Sequence, residues 1–304
     1  MKSQSIRTHK KSVAKAIYKS VLAAVAAAVL TPATTTTVHA DDAVASRVNF
    51  LVNLELSDKY LTPRGMIVQN KGLVFQPLAL ALANVYKGGD ALNSVTLVGG
   101  FWNCFGSSQL PDNSGNPTSW YEIDPIAGVS VGLFKHLTLD VTYTTFNMQI
   151  FNIPFSQHLE TKLSLDDSSW LGKFALHPTV SLWKELDNKA VASTDAQPKE
   201  SYYFDLGVAP SYTFEKIGLK VEAPCRMLMA NKDFYGTGAG SASTVGLYEL
   251  GVKASIPMKF MPEGYGHWSF HAGFKYMDFV DKNLIATQGK SGATLVSCGV
   301  TTFF

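Results

Sequence analysis

The chain has 304 residues, with 26 basic and 24 acidic side chains, and only 16% of it is charged while 12% is aromatic. That balance leaves no basic stripe for nucleic acid, and no apolar run reaches the roughly eighteen residues of a membrane-crossing helix. The three cysteines, Cys104, Cys225 and Cys298, stand too far apart for a disulfide framework or a zinc site.

Residues 1–40 differ from the rest. They carry Lys2, Arg7, Lys10, Lys11, Lys15 and Lys19 and no acid, then the apolar run Val21–Leu30, then a threonine stretch ending Val38-His39-Ala40. A basic start, a short apolar core and a small-residue end are the parts of a secretory signal, here expected to be cleaved after Ala40. Its six basic residues leave with it, so 20 basic residues face 24 acidic ones and the net charge becomes −4. Residues 41–304 then form a single domain.

Within that domain the dominant period is two. Val48, Phe50, Val52, Leu54 and Leu56 alternate with polar or small neighbours, and so do Leu219, Val221, Ala223, Cys225, Met227 and Met229. Strands of soluble sandwiches average about five or six residues, whereas a strand crossing a bilayer needs about 9–11 with this dyad pattern. Twelve such segments follow one another: 47–57, 73–86, 94–105, 120–134, 136–147, 158–167, 173–185, 201–215, 217–229, 244–259, 267–280 and 293–304. The connections alternate between short, nearly direct ones, as at Lys135 and Lys216, and longer ones at 58–72, 106–119, 148–157, 186–200, 230–243 and 281–292. Short turns on one side and long loops on the other are the layout of an outer-membrane barrel. The expected fold is all-β: a closed, transmembrane, antiparallel up-and-down β-barrel of about twelve strands. No helix is expected after residue 40.

Aromatic residues near the segment ends, namely Trp102, Trp120, Tyr121, Tyr202, Tyr203, Tyr212, Phe214, Phe279 and Phe303, fit the girdles of such a barrel. Pro77, Pro125, Pro178, Pro210 and Pro224 fall inside strands. Proline cannot donate to a ladder, so a bulge or widened pairing is expected where Pro210 and Pro224 face each other across the turn at Lys216.

The run Ser57-Asp58-Lys59-Tyr60-Leu61-Thr62-Pro63-Arg64-Gly65, followed by Phe75-Gln76-Pro77, resembles the opening of the TorF-type porins. Ser119-Trp120-Tyr121-Glu122, Leu165-Asp166-Asp167-Ser168, Lys184-Glu185-Leu186-Asp187 and the terminal Phe304 resemble uncharacterised Gram-negative outer-membrane β-barrels. A last strand closing on phenylalanine resembles their insertion signal. The resemblance implies a passive channel and assigns no functional residue.

The inward parity collects the ionisable groups. Glu122, Asp124, Asp140, Asp205, Lys220, Glu222, Arg226, Glu249, Lys253, His271 and Lys275 are the pore-lining candidates, with Glu55, Glu160 and Lys162 on the same parity. Charge on the lipid face costs a few kcal/mol at mid-depth, so these groups must face protein or water. They either line a pore and set its ion preference or pair across strands and brace the wall. About twelve strands lie between the filled interior of eight and the open channel of sixteen. A narrow pore is expected, partly filled by side chains and by an infolded loop, with 186–200 the candidate. Arg64, in the first outer loop, is the candidate contact for a lipopolysaccharide phosphate or a solute anion.

Catalysis has weaker support. His267-Trp268-Ser269 has the spacing seen in outer-membrane lipid hydrolases, but both side chains are on the inward parity and near the turn end. His267 and His271 share a face yet stand about 13 Å apart, too far for one zinc. No metal or cofactor is expected. The sequence therefore reads as an outer-membrane porin-like channel for passive diffusion of small hydrophilic solutes. It would sit among outer-membrane lipids and lipopolysaccharide of a Gram-negative bacterium, alone or as a homo-oligomer. A non-conducting structural barrel is the alternative, a lipid hydrolase a remote one, and a soluble lipocalin-like binder a further one.

Overall fold

A computed structural model describes residues 47–151, 153–171, 174–189, 200–239 and 244–304; the expected signal, residues 1–40, lies outside them. In chain order the strands are β1 (Val48–Ser57), a short hairpin of β2 (Tyr60–Leu61) and β3 (Ile67–Gln69), β4 (Val74–Lys87), β5 (Leu92–Pro111) and β6 (Pro117–Leu133). Next come β7 (Leu137–Met148), β8 (Ser156–Leu165), β9 (Phe174–Ala175), β10 (Thr179–Asp187), β11 (Tyr202–Val208) and β12 (Ser211–Phe214). The last are β13 (Leu219–Glu222), β14 (Cys225–Ala230), β15 (Val245–Pro257), β16 (His267–Phe279) and β17 (Gly292–Phe303).

Fifteen of these strands form one antiparallel sheet. β1 pairs with β17 from Leu51↔Phe303 to Ser57↔Ser297, which closes it. Three staves of the barrel are each split in two, as β9/β10, β11/β12 and β13/β14, so the wall is a closed barrel of twelve staves. Side-chain parity holds the register of this pairing. Phe50, Leu97, Val252 and Val296 are 45–55% exposed on the outside, and a slip of one residue would turn all of them inward. Among the described residues, no helix is long and apolar enough to cross a membrane.

The prolines leave their mark as gaps. Neither Gln76 nor Pro77 pairs with β5, although Phe75 and Leu78 on either side do. Neither Asp124 nor Pro125 pairs with β7. At Pro210 and Pro224 the expected irregularity is an interruption rather than a bulge. Val208 faces Cys225 and Ser211 faces Glu222 in unbroken register, so no residue is inserted. The carbonyls remain in use: Ala223 N–H donates to Pro210 O at 2.8 Å and Gly251 N–H donates to Pro224 O at 2.8 Å.

Several connections between the long strands differ from expectation in their secondary structure. The expected loop 106–119 is largely strand, because Leu110 pairs with Thr118 and Pro111 with Pro117. A tight turn remains, with Asp112 Oδ1 accepting from Ser114 N at 2.8 Å and Asn116 N at 2.7 Å. Contrary to the expectation of no helix, α1 (Ser168–Leu171) and α2 (Lys282–Gln288) form. The longer has complete end signals: Asp281 accepts from Asn283 N and Leu284 N, and Gly289 follows in the left-handed region at φ 66°. A side-chain N-cap and a glycine C-cap satisfy the orphan backbone groups of a short helix.

Candidate functional site

The site is the interior of the barrel, and its most consequential part is the connection after β1. Thr62-Pro63-Arg64-Gly65 is a β-turn: Gly65 N–H donates to Thr62 O at 3.0 Å, proline sits at the second position and glycine at the fourth. Gly65 has φ 85°, and a Cβ there would lie 3.0–3.1 Å from Phe279, Leu247 and Leu284. The turn is therefore packed inside the barrel rather than held above it. Hydrogen bonds along its length moor the loop. Tyr60 Oη donates to the Glu122 carboxylate and Arg226 donates to Pro63 O. Tyr235 Oη donates to Arg64 O at 2.9 Å, and Ile67 N–H donates to Gln288 Oε1 at 2.9 Å.

At the tip of this turn Arg64 is only 5% exposed. Its guanidinium carbon lies 4.3 Å from the Trp183 ring centre, 4.6 Å from Phe146 and 5.8 Å from Tyr203. These rings come from the wall. Trp183 on β10 and Tyr203 on β11 are direct register partners, and their rings stack at 5.9 Å and 17°. Phe146 on β7 stacks on Trp183 at 5.9 Å and 11°. Arg64 was expected on an exposed outer loop; it lies inside, turned to the lumen and away from lipid.

Other loops add apolar packing around the tip. Phe234 and Leu284 are fully buried and Tyr235 nearly so, in one cluster with Leu61, Leu228, Leu247, Met277 and Phe279. A second cluster joins Tyr60, Val74, Cys104, Tyr121 and Ile150. The infolded segment is thus 60–69; of the expected plug 186–200, residues 190–199 lie outside the described residues.

A chain of opposite charges crosses four adjacent strands. Arg226 Nη1 meets Asp205 at 3.0 Å, Arg226 Nη2 meets Glu249 at 3.1 Å, and Lys275 Nζ meets Glu249 at 3.2 Å. Nearer the turn end, Lys220 pairs with Glu222 at 2.9 Å and His271 Nε2 stands 3.6 Å from Glu55. The second contact is longer than a hydrogen bond.

Beside the infolded loop runs a cavity of about 790 Å³. Glu122, Asp124, Asp205, Arg226, Glu249, Lys275 and Arg64 line it. Asp140, Lys220, Glu222, Lys253 and His271 do not; they share the inward parity but stand nearer the turn end. With Glu55, Glu160, Lys162, Lys189 and Glu200, the cavity wall holds seven acids and five bases, a formal −2.

Sequence reasoning missed Trp102, Phe146, Trp183 and Tyr203 as interior residues. Trp102, Tyr121, Tyr203 and Phe279 sit inside rather than in the girdle that their place near the strand ends suggests, while Trp120, Tyr202, Tyr212 and Phe214 are exposed on the outside. Parity held the signal: Tyr202 and Phe204 face out, so Tyr203 and Asp205 must face in. His267 and Ser269 fall on the inward face near the turn end, as expected, with His267 exposed.

No family model matches the sequence, and no curated protein matches it. In structure the chain is similar to an outer-membrane channel from Pseudomonas putida F1, with a TM-score of 0.52 at 12% identity over 89% of this chain and 100% of that one. It is also similar to the NanC porin, with a TM-score of 0.45 at 9% identity over 83% of this chain and 98% of that one. The first likeness is one of fold alone, that of a closed antiparallel β-barrel.

Proposed function

We propose that the protein is an outer-membrane channel for passive diffusion of small hydrophilic solutes. The observation that carries this reading is the charged cavity of about 790 Å³ inside the barrel, beside the infolded loop. The porin-like fold supports it. The barrel would reach the outer membrane of a Gram-negative bacterium through the signal at residues 1–40. There it presents its apolar belt to lipid and lipopolysaccharide, singly or as a homo-oligomer. No catalytic step is assigned to Ser269 or His267. The pore-lining candidates take two roles in this reading. Arg226, Asp205, Glu249 and Lys275 brace the wall by pairing, whereas Asp140, Lys253 and His271 line the passage toward the periplasm.

Discrete conductance steps in a planar bilayer test the proposal. The excess of acids along the cavity predicts a reversal potential on the cation side in a salt gradient, and Lys253→Glu moves it further that way. A folded, inserted and silent barrel overturns the channel reading. One observation favours the second reading, a non-conducting structural barrel: the loop-end half of the interior is packed with apolar side chains. That reading predicts silence, together with changes in surface contacts when the loops are shortened.

A further inference from the structure

The way Arg64 is held differs from every other interior cation for which an ion pair is described. Arg226 and Lys275 each meet carboxylates at hydrogen-bond distance. Among the described residues Arg64 forms no ion pair, and its Nε has no hydrogen-bond partner although the side chain is 5% exposed. Its charge is met by three aromatic faces at 4.3, 4.6 and 5.8 Å. Cations within about 6 Å of a ring centre are attracted by the ring quadrupole, and more strongly where water is excluded.

Phe146, Trp183 and Tyr203 all belong to barrel strands, and the rings stack on one another. The cage therefore needs no loop to build it. Glu122, Asp124 and Glu160 line the same cavity as Arg64, so acidic side chains stand on the same interior wall. Arg64 arrives from a turn moored through main-chain carbonyls, those of Pro63 and of Arg64 itself. The cage and its cation are separate parts, joined only by a tether.

We propose that this cage is a binding site for small organic cations of the guanidinium class, and that Arg64 occupies it as a tethered ligand. A free guanidinium can make the same ring contacts, but it competes with a partner whose effective concentration is set by a short loop, in the millimolar range. When a solute takes the site, the turn loses the contacts of its tip side chain. Any widening of the passage that follows rests on the channel reading above; the binding site does not.

The test is isothermal titration of the folded barrel in detergent micelles with methylguanidinium chloride, using the native chain, Arg64→Ala and Arg64→Gln. Both variants vacate the cage and should bind the probe at least ~10-fold more tightly than the native chain, because the tethered competitor is gone. Adding Trp183→Leu to either should remove most of that gain. Binding no tighter than in the native chain, or a gain that survives Trp183→Leu, overturns the proposal. Should neither variant fold, refolding with methylguanidinium present decides. Recovery of the folded barrel supports the site, and no recovery overturns it. Because no conductance enters the readout, failure of the channel reading leaves this result intact.

Discussion

The two halves of the barrel interior are built on the same strands but obey different rules. Toward the loop end the lumen is filled like a soluble core, with Phe234, Leu247, Met277 and Leu284 fully buried around the turn that carries Arg64. Toward the turn end it is polar, with Lys220, Glu222, Lys253 and His271 spread along the wall. Barrel strands supply only alternation, which puts polar groups inside and apolar ones outside. At the loop end inward strand residues such as Leu228, Leu247 and Met277 are themselves apolar, and the connections add Leu61, Phe234, Tyr235 and Leu284 to them. The wall sets the bore, and inward side chains of strands and connections together set how much of it remains.

The largest expected effect in this comparison is at Arg226. Arg226→Ala leaves Asp205 and Glu249 as buried acids without their shared cation and frees the Pro63 carbonyl. Breaking a buried pair in this way costs about 3–5 kcal/mol, readable as a lower urea midpoint for the refolded barrel in vesicles. Leu284→Ala, at a fully buried position of helix α2, should cost about 2–5 kcal/mol by leaving a cavity against the turn, with faster hydrogen exchange in residues 62–67. Asp281→Ala removes the N-cap and should cost about 1 kcal/mol, seen as exchange confined to Asn283 and Leu284. In the polar half, Lys220→Ala breaks a pair whose side chains are 30% and 11% exposed. It should change the urea midpoint by less than about 1 kcal/mol. Equal costs at Arg226 and Lys220 would erase the distinction between the halves.

The wall was legible because its grammar is simple. The alternation of Val48 to Leu56 and of Leu219 to Met229 separates the two faces of the wall, and Glu122, Asp124, Asp205, Arg226, Glu249 and Lys275, which parity places inward, line the cavity. The interior was not legible, because nothing in a strand pattern says where a connection goes. The clues lay in composition. Tyr60, Leu61, Met66, Ile67 and Val68 give the first loop more apolar weight than a solvent loop carries. Phe234-Tyr235 sits alone among polar and glycine residues. Asp281 and Gly289 frame a helix around Leu284 and Ile285, which a search for strands passed over. Cation–aromatic pairing between Arg64 and Trp183 joins residues more than a hundred positions apart, and single-sequence periodicity holds no record of such a distance.

The proposed channel would conduct through what its first loop leaves open. It is tested most directly by single-channel conductance of the native barrel beside a variant in which residues 60–69 are replaced by a short Gly-Ser linker. The account predicts discrete steps in both proteins, with a severalfold larger conductance in the variant. Equal conductance, or silence in both folded and inserted proteins, would contradict it.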